Sequence, residues 1–184
     1  MSAAEVTSVA EHQRAMLALI AADPSVPVHD PYAASISDSL PLDVVRDIAD
    51  SWRRFALQRQ CPLTWRLMEQ RGRLDHHFAR LAQCRGLSPF LQILARQFLD
   101  QVAEATDDDL EAAVTRFERV LIDAPLVVDE NASGTDVVID WPCDPEQVLG
   151  RLATGEALGT PTPGHYRTRA PSLDPTVFTI ECLH

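Results

Sequence analysis

The character of this 184-residue chain changes at Pro125. Before it, apolar residues recur at three- and four-residue spacing, the period of a helix with one side buried. After it, they come in short β-branched runs bounded by Gly, Pro, Asn and Asp, the pattern of strands. The change predicts an α+β fold in which an N-terminal helical body is followed by a small C-terminal β-rich module. We place the boundary between residues 124 and 125, with 1–124 as the helical domain and 125–184 as the module.

Start and stop signals divide the helical part. A first helix is expected over 3–22, where Val6, Val9, Ala10, Met16, Leu17, Leu19 and Ile20 share a side and Asp23-Pro24 ends it. Residues 23–41 hold four prolines and read as a loop or tether. A second helix begins near Leu42, carries Val44, Val45, Ile48, Trp52, Phe55 and Ala56, and stops before Cys61-Pro62. Pro62 opens a short helix to Arg71, and another spans Leu74 to Cys84. Ser88-Pro89 supplies a cap and a first helical position for a helix to Ala105 that is expected to bury Phe90, Leu91, Leu94, Phe98 and Val102. The acids Asp107, Asp108 and Asp109 precede a helix carrying Leu110, Val114, Phe117 and Leu121, with Pro125 at its end. Strands are expected at 126–128, 137–139 and 177–180, with a weaker one at 165–169. Asp144-Pro145 opens a short helix between them.

Composition bounds the class. Hydrophobic residues make up 46% and charged residues 23%, enough apolar material for a core without disulfides or a structural metal. The apolar stretch Ala15 to Ala22 is too short to span a bilayer, and it follows Glu5 and Glu11 rather than a basic region. The expectation is a cytoplasmic protein with no membrane partner. The net charge of −11 is unevenly spread: residues 46–96 carry ten Arg against four acids, and residues 97–184 carry five Arg against seventeen acids. An Arg-rich helical segment suits a protein interface, or internal pairs with the acidic C-terminal third. So acidic a chain disfavours nucleic acid.

Reactive constellations are scarce. His76 and His77 are adjacent and diverge on a helix, so they are read as exposed helix residues with no metal between them. A nucleophile elbow, a phosphate loop and a dinucleotide turn are missing. Cys61, Cys84, Cys143 and Cys182 form no CxxC and are read as free, mostly buried thiols. Cys61, before Pro62, has a helix N-terminus beside it but no identifiable His partner. The carboxylates of 100–111 read as a solvated helix start. We therefore expect no catalytic and no metal-ligating residues, and no cofactor in this chain. Arg53, Arg54, Arg59, Trp65 and Arg66 are the residue types enriched at interface hot spots and form the candidate partner interface. Trp52, at apolar spacing, is expected in the core.

A looser signal lies in Ser51-Trp-Arg-Arg-Phe-Ala-Leu-Gln-Arg-Gln-Cys-Pro-Leu-Thr64, Gly72, Leu87-Ser88-Pro89-Phe90 and Gln97-Phe98-Leu99. It continues through Val138-Ile139-Asp140-Trp141, Asp144 to Leu149, and Pro163-Gly164-His165-Tyr166-Arg167. In this order the motifs resemble the small partner subunits of multinuclear non-heme iron oxidases (MNIO) in ribosomal peptide (RiPP) biosynthesis, MbnC-like (methanobactin) or TglI-like (thiaglutamate). The resemblance covers roughly residues 45–184. It implies a non-catalytic subunit: a TIM-barrel oxidase carries the iron, the helical body docks it, and the C-terminal strands hold the precursor peptide leader. Tyr166, Arg167 and Arg169 on one strand, and Val177, Thr179 and Glu181 on another, are the peptide-binding candidates, because an exposed sheet edge can accept an extended peptide. The implied product is an oxazolone with a neighbouring thioamide; excision of the cysteine β-carbon is the alternative. Two further classes stay open: a stand-alone enzyme using Cys61 or the His76-His77 region, and a DNA-binding regulator using the Arg-rich helices of 46–85.

Overall fold

The computed structural model describes residues 9–20, 30–82, 87, 88, 90–123, 136–170 and 178–183. Within them lie α1 (Val9–Ile20), α2 (Pro31–Ile36), α3 (Leu40–Gln60), α4 (Pro62–Gln70), α5 (Leu74–Ala82), α6 (Leu91–Ala105) and α7 (Asp109–Asp123). There follow β1 (Val137–Cys143), α8 (Pro145–Thr154), β2 (Pro163–Ala170) and β3 (Thr179–Leu183). The fold is α+β, with a helical body followed by a small antiparallel sheet. The strand expected at 126–128, the helix start at 3–8, Cys84, Pro89, Pro125 and Val177 fall outside the described residues.

The chain divides into two compact units, Met1–Phe55 and Ala56–His184. The first gathers Ala15, Leu19, Ala33 and Leu42 into a small core with Met16, Ile20 and Ile36 against it. Residues 23–41 are not wholly a loop, because Asp30-Pro31 starts α2. The Asp30 Oδ1 accepts from the Ala33 amide at 2.8 Å and Pro31 takes the first helical position. The Ala33 amide, and then His12, whose Nδ1 lies 2.9 Å from Oδ2, hold the Asp30 carboxyl below its ordinary range. Arg46 Nε donates to the Leu19 carbonyl at 2.9 Å, supplying a partner and a positive charge at the C-terminus of α1.

The second unit has one core, and it includes the sheet. Leu57, Trp65, Leu67, Met68, Phe98, Phe117, Trp141 and Leu152 belong to the same buried cluster. The Phe117 ring lies 6.0 Å from Trp141 and 5.2 Å from Phe178, edge-on in both cases. Residues on either side of the expected 124/125 boundary thus share one buried cluster. A three-stranded sheet has no core of its own, and here β1 packs against α7.

Two local expectations also change. α6 begins at Leu91, two residues later than Ser88-Pro89 suggested. The Ser88 Oγ accepts instead from the Phe90 amide at 3.1 Å. Leu94, Phe98 and Val102 are buried, whereas Phe90 and Leu91 are exposed. The inward face is the run Leu94, Phe98 and Val102 at i, i+4 and i+8; Phe90, four residues earlier, is the N-cap in extended backbone, so its side chain does not continue that run. Gly72 and Gly155, at φ 65° and 79°, follow α4 and α8 in the left-handed conformation that ends a helix.

Candidate functional site: the sheet and its outer edge

The strands run in the order β1-β2-β3, both pairings antiparallel. Side chains alternate between faces along each strand, so the register sorts the candidates. Ile139 pairs with Thr168 and Thr168 with Ile180, placing these on the core-facing side with Trp141, Tyr166 and Cys182. Trp141 is buried, and its Nε1 donates to Thr168 Oγ1 at 2.9 Å. Asp140 pairs with Arg167 and Arg167 with Glu181, which places these on the solvent face with Arg169 and Thr179.

Arg167 Nε donates to Asp140 Oδ1 at 2.7 Å, and this hydrogen bond holds the Asp140 carboxyl below its usual range. Arg169 lies 3.8 Å from Asp136. A cleft of about 400 Å³ is bounded by Asp140, Trp141, His165, Tyr166, Arg167 and Leu183. Of the expected peptide-binding residues, Arg167, Arg169, Thr179 and Glu181 share the solvent face. Tyr166 does not, being half-buried against the core. Adjacent strand residues point oppositely, so Tyr166 and Arg167 cannot read one peptide side by side.

All five residues of β3 are exposed. Ile180 and Cys182 register onto the core-facing side, yet α7 covers β1 and leaves them open. On its far side β3 has no strand partner among the described residues. β1 is the other outer strand of the described sheet, but Pro142 and a register shift between Trp141 and Cys143 interrupt its edge.

The expected partner-interface residues differ in exposure and in the partners they hold. Trp65 is only 5% exposed and sits in the core beside Leu67 and Met68, whereas Trp52, expected there, is 43% exposed. Arg66 Nη1 donates to the Leu152 and Ala153 carbonyls at 2.5 and 2.6 Å, closing the C-terminus of α8. Arg53 pairs with Asp50 at 2.6 Å. Arg54 is half-buried and Arg59 exposed, both on α3.

Much of the Arg-rich segment pairs inward. Glu111 is wholly buried, not part of a solvated helix start. Arg71 and Arg73 each donate to it at 2.8 Å, and Thr106 Oγ1 donates at 2.6 Å. Arg96 meets Asp123 at 2.5 Å. These pairs cross between the basic middle and the acidic last third.

Residues weighed for chemistry are held as structure. Cys61 is fully buried, and burial followed by the Glu118 charge pushes its thiol well up, away from the thiolate a nucleophile needs. Burial raises Cys143 likewise. His77 is buried rather than exposed, and burial lowers its pKa. Among the described residues no three His, Cys, Asp or Glu side chains converge as a metal site would require. The sequence reading missed Glu118. Its two oxygens accept from the Leu63 and Thr64 amides at 2.7 and 2.8 Å, capping α4, and burial pushes its carboxyl up to about 7. The available signal was spacing: Glu111, Thr115, Glu118 and Ile122 recur on one buried side of α7. A cleft of about 410 Å³ beside Glu118 is bounded by Gln60, Pro62, Leu63, Gln92, Leu121 and Ile122. Both carboxylate oxygens are already engaged by α4, so the group serves as a cap.

No family model matches this chain, no curated protein matches it, and no solved structure matches it.

Proposed function

We propose that this chain is a non-catalytic partner subunit, docking an iron-dependent oxidase of the multinuclear non-heme type and binding the precursor peptide whose cysteine is oxidised. The observation that supports the peptide-binding half is β3: a strand with no neighbour on its far side among the described residues, exposed on both faces and free of Pro and bulges. A peptide added there gains backbone hydrogen bonds along five residues. Thr179, Glu181, Arg167 and Arg169 lie on the solvent face to read alternate side chains, and Ile180 and Cys182 lie on the other. The iron belongs to the partner. In support of that division, Cys61, Cys143, Glu111 and Glu118 are taken up in packing and capping rather than in a reacting site.

The test is co-expression with a TIM-barrel oxidase of this type and its precursor peptide. The expected result is a stable complex whose iron travels with the barrel protein, and a leader peptide that slows modification of exposed Cys182 by a thiol reagent. Failure to form the complex would remove the oxidase half of the proposal. Undiminished Cys182 reactivity with bound peptide would remove β3 as the binding edge. Turnover by the isolated chain would replace the reading with a stand-alone enzyme.

A further inference from the structure

The solvent face of the sheet carries one line of charge, and its sign alternates from strand to strand. Asp140 of β1 registers with Arg167 of β2, and Arg167 with Glu181 of β3. Residues registered in this way stand side by side on one face. Arg167 Nε donates to Asp140 Oδ1 at 2.7 Å, so the arginine is bonded on its β1 side. The Glu181 charge reaches Arg167 through space, yet among the described residues Glu181 makes no hydrogen bond and no ion pair. The line runs acid, base, acid, and ends on an exposed carboxylate at the outer strand.

The neighbouring lines on that face are of a different kind. Val138, Arg169 and Thr179 make one, and His165 with Leu183 makes part of the other. Neither ends on a charge at β3. A strand laid along β3 meets Thr179, Glu181 and Leu183 on one face, and Ile180 and Cys182 on the other. Only at Glu181 does it meet a charge. The cost of covering that position selects the side chain. An added strand takes water from one flank of the carboxylate and brings its own Cβ to about 5 Å from that of Glu181. An acid there sets like charges directly opposite, and a neutral residue leaves the carboxylate less hydrated without a partner. A base continues the alternation.

We propose that the segment of the precursor peptide docking on β3 carries a Lys or Arg opposite Glu181, with an apolar residue immediately before and after it to face Ile180 and Cys182. The pattern apolar, basic, apolar reads the same in either chain direction, so it serves a parallel or an antiparallel addition. The inference rests on β3 being the peptide edge, and it adds the chemistry that this edge selects. The overall acidity of the chain draws any cation, whereas the alternating line favours a cation at one position.

The experiment uses the whole chain and three labelled nine-residue peptides of alternating threonine and valine, with lysine, glutamine or glutamate at the centre. Affinity is read by fluorescence anisotropy, and occupancy of β3 by the rate at which a thiol reagent modifies Cys182. The lysine peptide is expected to bind about tenfold more tightly than the glutamate peptide, and to slow modification of Cys182. Glu181→Lys should reverse that order, and Glu181→Gln should bring the three within about twofold of one another. Glu181 is exposed, so both variants should keep the circular dichroism of the wild type. Three equal affinities, with Cys182 protected by each peptide, would overturn the charge rule and leave β3 as the peptide edge. Cys182 left fully reactive by all three would remove the edge itself, and the inference with it. A lysine preference that survives in Glu181→Lys would trace to the acidity of the whole chain and overturn the role of Glu181. A dimer in sedimentation, with Cys182 protected in the absence of peptide, would give the edge to a second copy and overturn the proposal as well.

Discussion

β1 and β3 flank the same central strand, and their surroundings differ almost completely. β1 turns Ile139, Trp141 and Cys143 into the core under α7, while β3 offers Ile180 and Cys182 on the same side with no cover among the described residues. β1 is broken at its edge by Pro142 and a register shift, and β3 is uninterrupted. Proteins ordinarily blunt an exposed edge. Leaving one strand open while guarding its counterpart separates holding the fold together from recruiting another chain. On the proposed function the first task falls to β1 and its helical cover, and the second to β3.

The largest break in that comparison is Trp141→Ala. It removes the ring that meets Phe117 and leaves the buried Thr168 hydroxyl without its indole donor. The expected cost is about 3–5 kcal/mol, read by urea unfolding. A cost below about 1 kcal/mol would mean that the sheet is not anchored through β1.

Next in size is the cover itself. α7 carries Glu118, whose carboxyl is raised by burial from 4.5 to about 7. A group raised in the folded state contributes stability that is fully present below its unfolded value and lost as pH rises through its folded value. Between about pH 4.5 and 7 the folded chain therefore holds more protons, and stability should fall by about 3 kcal/mol across that window from this group. Glu118→Gln should remove that slope while keeping an acceptor for one α4 amide. Unfolding free energies measured from pH 5 to 8 decide it; an unchanged slope in the variant would place the titration elsewhere.

How much of this was legible beforehand follows from what periodicity encodes. Spacing gave α3, α4, α5, α6, α7 and three of the strands, helped by a Pro or Gly just beyond each of these helices except α6. α2 was hidden among prolines, although Asp30-Pro31 is itself a start signal. Spacing could not say which of two apolar arcs on α3 is covered by its own chain, so Trp52 was expected inside and Trp65 outside, the reverse of the arrangement found. Nor could it show that Arg71 and Arg73 converge on Glu111, since a charged pair some forty residues apart has no local signature. The register of the sheet, which puts Tyr166 and Arg167 on opposite faces, was implicit in period two once the strand was granted. Which strand lies outermost is a long-range outcome that no local pattern carries.

The smallest effect on stability is expected at β3, and it sharpens the comparison most. Ile180 is 37% exposed on the side where β1 is sealed. Ile180→Asp should cost no more than about 1 kcal/mol, because little packing is lost and the carboxylate stays in water. If β3 receives the precursor, the same change should weaken peptide binding about tenfold, since it sets a charge against a side chain that an added strand would press onto that face. Titration of a labelled leader peptide against the variant, beside urea unfolding of the same preparation, reads both quantities. Unfolding as severe as that of Trp141→Ala would make β3 part of the core after all. Unaltered stability with unaltered binding would leave the open edge intact and take the peptide away from it.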